Sequence, residues 1–359
     1  MGKQDFIYER CFSRNNINEA KITKLIDNNL VIWGTAVTAN ILYSIVTSWG
    51  ISPKFFLDSN DAVKERDFHG IKILTPKQYR ESYQAPDDII VMGMREAIAL
   101  EVKKEVYSSF SSIYTIQELL RYIHHDFSIL EIGPSSSPFF VGPNVKYFDV
   151  FGPEELKKEA IRYHRSPDGV PEVIDYISPN GDWNCVGDGI FSYIYSSHLI
   201  EHQPDLVYHL QNVERHLKPK GEYLLTIPDK RYCFNYYQPE TTTSDILLAY
   251  HEKYRTHSLR AWLYTLMPAH NDAARHWRDD HGEKPTISLQ AYEKVISDYN
   301  VALSGNKYVD MHEWYFTPDG FVDICNNLQA MNLIDLKVET CNPTERESIE
   351  FYVALKKES

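Results

Sequence analysis

The stretch "SSHLIEH", residues 196–202, sets His198, Glu201 and His202 close together in the chain. Two imidazoles and a carboxylate at such spacing gather a divalent cation, and an imidazole that titrates near neutrality also serves as a general base. A Glu-His pair equally packs and caps the helix that follows it, and on that reading no metal is expected. A second concentration is "HNDAARHWRDDHG", residues 270–282, where His276 and His281 stand among Asp272, Asp279 and Asp280. These are the preferred candidates for a base acting on a hydroxyl, with His202 after them. On a continuous helix, residues five apart diverge by about 140°, so only one of the two faces a substrate unless the helix breaks near Asp279. His276 is the expected one, because Trp277, Arg275 and Arg278 beside it suit a partly enclosed site. His312, just ahead of "TPDGF", reads as a cap-region histidine.

These residues need a frame. "SILEIG" is an apolar strand, "PSSSP" its loop, and "VKYFDV" (145–150) a second strand that ends on Asp149. An acid at that tip, beside a loop of small residues, is placed to accept two hydrogen bonds from ribose hydroxyls. "PEVIDYI", "GIFSYIYSSHLIEH" and "EYLLTIPD" read as the third, fourth and fifth strands, with the helix "PDLVYHLQNVERHL" and a turn "KPKG" between the last two. "LIDLKVETC" and "IEFYVALKK" alternate as a closing antiparallel hairpin. Residues 230–312 exceed any ordinary connection, so they are expected to be a substrate lid or platform rich in helix and aromatic residues.

The succession resembles the class I S-adenosylmethionine-dependent methyltransferases of the type 11 kind, over roughly residues 125–357. The likeness is carried by "LEIGPSSSPF", "KYFDV", "SYIYSSHLIEH" and "LKPKGEYLLTIPD". It implies a seven-stranded sheet and S-adenosyl-L-methionine as cofactor. Glu131 and Gly133, with Pro134 and Ser135, would line the methionine end, Asp149 would hold the ribose, Asp182 or Trp183 would meet the adenine, and Ser197 would complete the set. "SSHLIEH" is also similar to the metal-binding stretch of some ubiquinone-pathway and small-RNA O-methyltransferases.

Ahead of this lies a smaller α/β domain. "NNLVIWGTAVTANILYSIVTSWG" (28–50) is a strand, a turn and a helix; "PKFFLDSND", "HGIKILTPKQY" and "DDIIVMGM" supply further strands. A Rossmann-like unit is expected over residues 1–120, with 121–359 as the methyltransferase domain and the apolar stretch 113–126 as a helical bridge. The first part resembles the nucleotide-sugar-binding domain of bacterial sugar acyltransferases. Its turn Gly34-Thr35-Ala36 carries Ala36 where a dinucleotide fingerprint wants a second glycine, so a structural role is expected.

Bulk properties narrow the partners. A net charge of -13 disfavours a nucleic-acid polyanion. Five scattered cysteines, never in CxxC spacing, point to reduced thiols in a cytoplasmic protein, and no transmembrane segment or signal peptide is expected. The expected activity is O-methylation of a sugar in surface-polysaccharide or nucleotide-sugar metabolism, on a small-molecule or glycan substrate. Methylation of an aromatic or quinone-like hydroxyl, a non-catalytic scaffold in glycan assembly, and a homo-oligomer all stay open.

Overall fold

The structure is a computed structural model that describes residues 2–11, 22, 30–60, 67–94, 96–106, 110, 112–123, 128–305 and 309–358. It divides into two compact units, one of residues 2–127 with 139–145 and one of residues 128–138 with 146–359.

In the first unit, α1 (Lys3–Cys11) precedes β1 (Leu30–Trp33), whose "LVIW" is buried throughout. Then come α2 (Val37–Ser48), β2 (Phe55–Leu57), a hairpin of β3 (Asp67–Phe68) and β4 (Ile71–Leu74), α3 (Pro76–Ser82), β5 (Ile89–Met92), α4 (Glu96–Val106), β6 (Ile113–Thr115) and α5 (Ile116–Ile123). The sheet order is β3-β4-β2-β1-β5-β6, parallel except for the β3-β4 hairpin. The unit is therefore α/β, with a largely parallel sheet whose strands alternate with helices. The start of the 113–126 stretch is corrected: residues 113–115 are a strand paired with β5, helix begins only at Ile116, and residues 124–127 lie outside those described.

The second unit holds β7 (Ile129–Ile132), β8 (Val145–Asp149), α6 (Pro153–Arg162), β9 (Tyr176–Ile177), β10 (Phe191–Ser197), α7 (Leu206–His216), β11 (Leu217–Pro228), α12 (Pro318–Ala330), β12 (Leu336–Asn342) and β13 (Glu350–Lys357), with four insertion helices to be described below. The sheet runs β12-β13-β11-β10-β7-β8-β9. Only β13 is antiparallel to its neighbours. The third strand is shorter than "PEVIDYI" suggested, since only residues 176–177 pair at the sheet edge. "KPKG" is taken into β11, with Lys220 at φ 63 and a register shift against β10.

Leu130, Ile132, Ile194, Leu225, Ile227 and Val353 bury one sheet face with Leu210 and Val213 of α7 and Phe321 and Ile324 of α12. Each such side chain contributes roughly 1.5–3 kcal/mol. Asp205 caps α7 by accepting from the Tyr208 N–H at 2.9 Å, and Thr317 caps α12 by accepting from the Gly320 N–H at 3.2 Å. His312 therefore stands well before the cap of α12, not at it. Among the described residues the five cysteines form no disulfide, and no helix is long and apolar enough to cross a membrane.

Candidate functional site

The strand order reverses at β7, which has β8 on one side and β10 on the other. Open α/β sheets bind ligands in the crevice at the carboxyl ends of strands flanking such a point. Gly133 leaves β7 at φ 67, its N–H donating to the Phe148 carbonyl of β8 at 2.9 Å. A Cβ at Gly133 would come 2.8 Å from Leu199 Cδ1, so the turn packs on the chain leaving β10. Ser135 (φ 51) and His198 (φ 50) share this left-handed backbone region. Non-glycine residues adopt it at a cost that clusters at functional sites.

At the neighbouring tip, Asp149 is 8% exposed, and its Oδ1 accepts from the Phe151 N–H at 3.0 Å. Among the described residues no cation pairs with it. Burial pushes its carboxyl up to about 6, against the pull of the backbone N–H groups of Phe151 and Val150. Glu131 is buried in β7, Pro134 is buried, and Ser135, Asp182 and Ser197 are half-buried. Asp182 accepts from the Asn184 N–H at 3.1 Å in a local turn. Trp183 needs correction as an adenine contact. It is 3% exposed, with one ring face against Phe148 (4.8 Å, 18°) and the other interactions filled by His216 (5.2 Å, 10°) and His209. The indole belongs to the core.

Beyond β10, one turn of 3₁₀ helix, Ile200–His202, carries Glu201, which is wholly buried. Neither of its carboxylate oxygens has a hydrogen-bond partner among the described residues. Two other fully buried acids behave in the ordinary way. Asp229 accepts from Arg231 and from Thr344 Oγ1, and Glu313 accepts from the Ser258 N–H and hydroxyl and from His257. Around Glu201 Oε1 stand instead His202 Nε2 at 3.6 Å, His312 Nε2 at 3.7 Å and His198 Nδ1 at 3.9 Å. Burial raises the Glu201 carboxyl, with the neighbouring imidazoles opposing it. Burial works against a charged His202, but Asp310 and Glu201 outweigh it and raise that imidazole; burial and the adjacent imidazoles hold His312 well below its usual range. The sequence reading took His312 for a cap-region residue, because nothing local marks it as a neighbour of Glu201. The only signal was that the core resumes at "DMHEWYF".

The insertion contains α8 (Thr243–Glu252), α9 (Leu259–Tyr264), α10 (Ala273–His276) and α11 (Leu289–Ser304). α10 stops at His276 and Asp279 sits at φ 64, so the break near Asp279 occurs and folds His281 back onto His276. His276 Nε2 donates to the His270 carbonyl at 3.0 Å, leaving Nδ1 to accept from His281 Nδ1 at 2.9 Å. His281 Nε2 lies 3.0 Å from Asp279 Oδ1, and Tyr236 stacks on the His281 ring at 3.6 Å. His276 is 2% exposed and both its nitrogens are engaged, so the expected base has no free nitrogen for a substrate. Tyr232 stacks on Trp277 at 4.1 Å, and the Trp277 indole donates to the Ser348 carbonyl at 3.0 Å. Much of the insertion's aromatic and imidazole content thus serves its own packing.

No family model and no curated protein matches the chain. Its fold is similar to that of solved S-adenosylmethionine-dependent methyltransferases. One from Listeria monocytogenes is 12% identical, covering 65% of this chain and 92% of that one, with a TM-score of 0.32. Another from Mesorhizobium loti is 12% identical over 64% and 91%, TM-score 0.33, and a third from Methanosarcina mazei is 13% identical over 67% and 96%, TM-score 0.31. These likenesses are too distant to carry function to this chain.

Proposed function

We propose that the protein is an S-adenosylmethionine-dependent methyltransferase acting on a hydroxyl of a small molecule or glycan. The observation that carries this reading is Asp149, a buried carboxylate with no cationic partner among the described residues, beside the left-handed Gly133 turn where the strand order reverses. The site fits the cofactor: the acid offers acceptors to paired ribose hydroxyls, and the glycine turn lets a ligand approach the backbone. S-adenosylmethionine supplies an electrophilic methyl group on a sulfonium sulfur. Glu131 would order the methionine end of the cofactor, and Asp182 would meet the adenine. The acceptor proton is handled by the group around Glu201 and His202, because His276 has no nitrogen to spare.

For the acceptor we propose a sugar hydroxyl in surface-polysaccharide or nucleotide-sugar metabolism, in the cytoplasm. The insertion's mixture of aromatic residues with Arg, Asp, Asn and His supports this reading, since rings beside polar groups suit sugars. The first unit is assigned a structural role. Thr35 Oγ1 donates to Asp58 Oδ2 and the Asn60 N–H donates to Asp58 Oδ1 at 2.8 Å, so the acid that follows β2 closes its own loops.

Titration calorimetry with S-adenosylhomocysteine tests the assignment. Saturable binding by the wild-type protein, weakened in Asp149→Ala, is expected. A folded wild-type protein that binds none would overturn it.

A further inference from the structure

We propose that one proton shared by His276 and His281 fastens residues 270–282 to the segment 232–237, so that this part of the insertion is latched at low pH and released as pH rises. The inference uses no feature of the methyltransferase reading.

The four ring nitrogens fix the proton count. His276 Nε2 faces the His270 carbonyl at 3.0 Å and carries a proton, since a carbonyl only accepts. His281 Nε2 faces a carboxylate oxygen, Asp279 Oδ1, at 3.0 Å and carries one for the same reason. The two Nδ1 atoms lie 2.9 Å apart, a hydrogen-bond distance at which one holds a proton and the other a lone pair. Three protons on two rings are one more than two neutral imidazoles hold. The pair is therefore a single cation with Asp279 as its counter-charge. Burial and the neighbouring imidazoles hold His276 below its ordinary range, which leaves the added charge on His281.

The titratable and charged neighbours are engaged elsewhere. His270, whose ring lies 4.1 Å from that of His276, is satisfied as a neutral ring: its Nδ1 accepts from the Asp272 N–H at 3.2 Å and its Nε2 donates to the Asp280 carbonyl at 2.8 Å. Arg275 spends its guanidinium on Asp280 at 2.8 and 3.2 Å, and Asp272 accepts from the Arg275 N–H at 3.2 Å. Tyr236 presents its ring to His281 at 3.6 Å, a contact that suits an imidazolium, and Tyr237 donates its hydroxyl to the Gly282 carbonyl. Lys230 and Lys284 lie over the rings of Tyr236 and Tyr237 at 5.7 and 6.0 Å.

Once the added proton leaves, two neutral rings keep the Nδ1 contact or the Asp279 contact but not both. The loop so loosened backs the segment 232–237, because Tyr236 stacks on His281 and the Ala269 N–H donates to the Phe234 carbonyl at 2.8 Å. The front of that segment reaches the group around Glu201. There Asn235 Oδ1 accepts from His312 Nδ1 at 2.6 Å, and the Phe234 ring lies 4.8 Å from that of His312. Loss of the proton therefore removes support from behind one wall of the candidate site.

Nitrogen NMR of the histidine rings in the full-length protein reads the proton count directly. At pH 6 His281 is expected to carry protons on both nitrogens and His276 on Nε2 alone; a neutral His281 ring there would overturn the proposal. Hydrogen-exchange protection of the 270–282 amides, corrected for the intrinsic rate at each pH, should fall by up to about tenfold per pH unit above the ordinary imidazole value of about 6.5. Asp279→Asn keeps the left-handed turn, which asparagine adopts readily, and its amide can donate to a neutral His281 Nε2. That variant should hold the loop without the third proton and give flat protection from pH 6 to pH 9. A flat profile in the wild type, or the wild-type slope retained in Asp279→Asn, would overturn the inference.

Discussion

His312 Nε2 faces the Glu201 carboxylate at 3.7 Å although the insertion 230–312 intervenes between them in sequence. The main chain enforces the meeting, since the Glu313 and Trp314 N–H groups donate to the Glu201 carbonyl at 2.8 and 3.1 Å. The insertion therefore returns a donor to the edge of the sheet from which it departed, and the group is held by backbone rather than by side-chain chance.

Asp149→Ala is expected to weaken S-adenosylhomocysteine binding by about 1.5–3 kcal/mol, the scale of hydrogen bonds to a charged group. In the wild-type protein affinity should fall about tenfold per pH unit below about 6, because only the ionised carboxylate accepts from both ribose hydroxyls. Calorimetry across pH 5–8 measures both effects, and a flat profile in the wild type contradicts them.

The same acid sets a stability trend of opposite sign. Its folded pKa of about 6 exceeds the ordinary 3.8, so its contribution favours the fold below the ordinary value and is lost as pH rises through about 6. The loss amounts to about 3 kcal/mol at most. Asp149→Asn should remove the trend, giving a variant whose advantage in denaturant unfolding grows from pH 4 to pH 7. An advantage independent of pH would show the carboxyl to be unperturbed.

Gly133→Ala should cost about 1–3 kcal/mol and reduce cofactor affinity. The left-handed φ of 67 resists a side chain, and a Cβ would press within 2.8 Å of Leu199. Pairing it with Leu199→Ala relieves the contact but not the φ, so chemical denaturation of the double variant should recover only part of the loss.

His276→Ala is expected to lower stability by about 1–3 kcal/mol through the unpaired His270 carbonyl and His281 nitrogen, while turnover per folded molecule at low temperature stays near wild type. A hundredfold fall in turnover with unchanged stability would restore it as a base.

Much of the frame was legible from order along the chain. Alternating apolar runs and helix patterns located β7, β8, β10, β11 and the β12-β13 hairpin, because burial on both faces demands continuous apolar residues and an antiparallel pair demands alternation. Asp149 and Gly133 were visible for the same local reason, standing at the ends of apolar strands. β9 was overextended because an edge strand buries little and its limits leave no pattern.

What the sequence determined by itself is therefore the succession of strands, helices and tight turns, each of which answers to its own neighbours. Trp183 in the core, His276 locked by His270 and His281, and His312 at Glu201 were decided only in three dimensions. A side chain's role depends on which atoms cover its faces and occupy its donors and acceptors. Those atoms come from distant segments that meet only when the sheet closes.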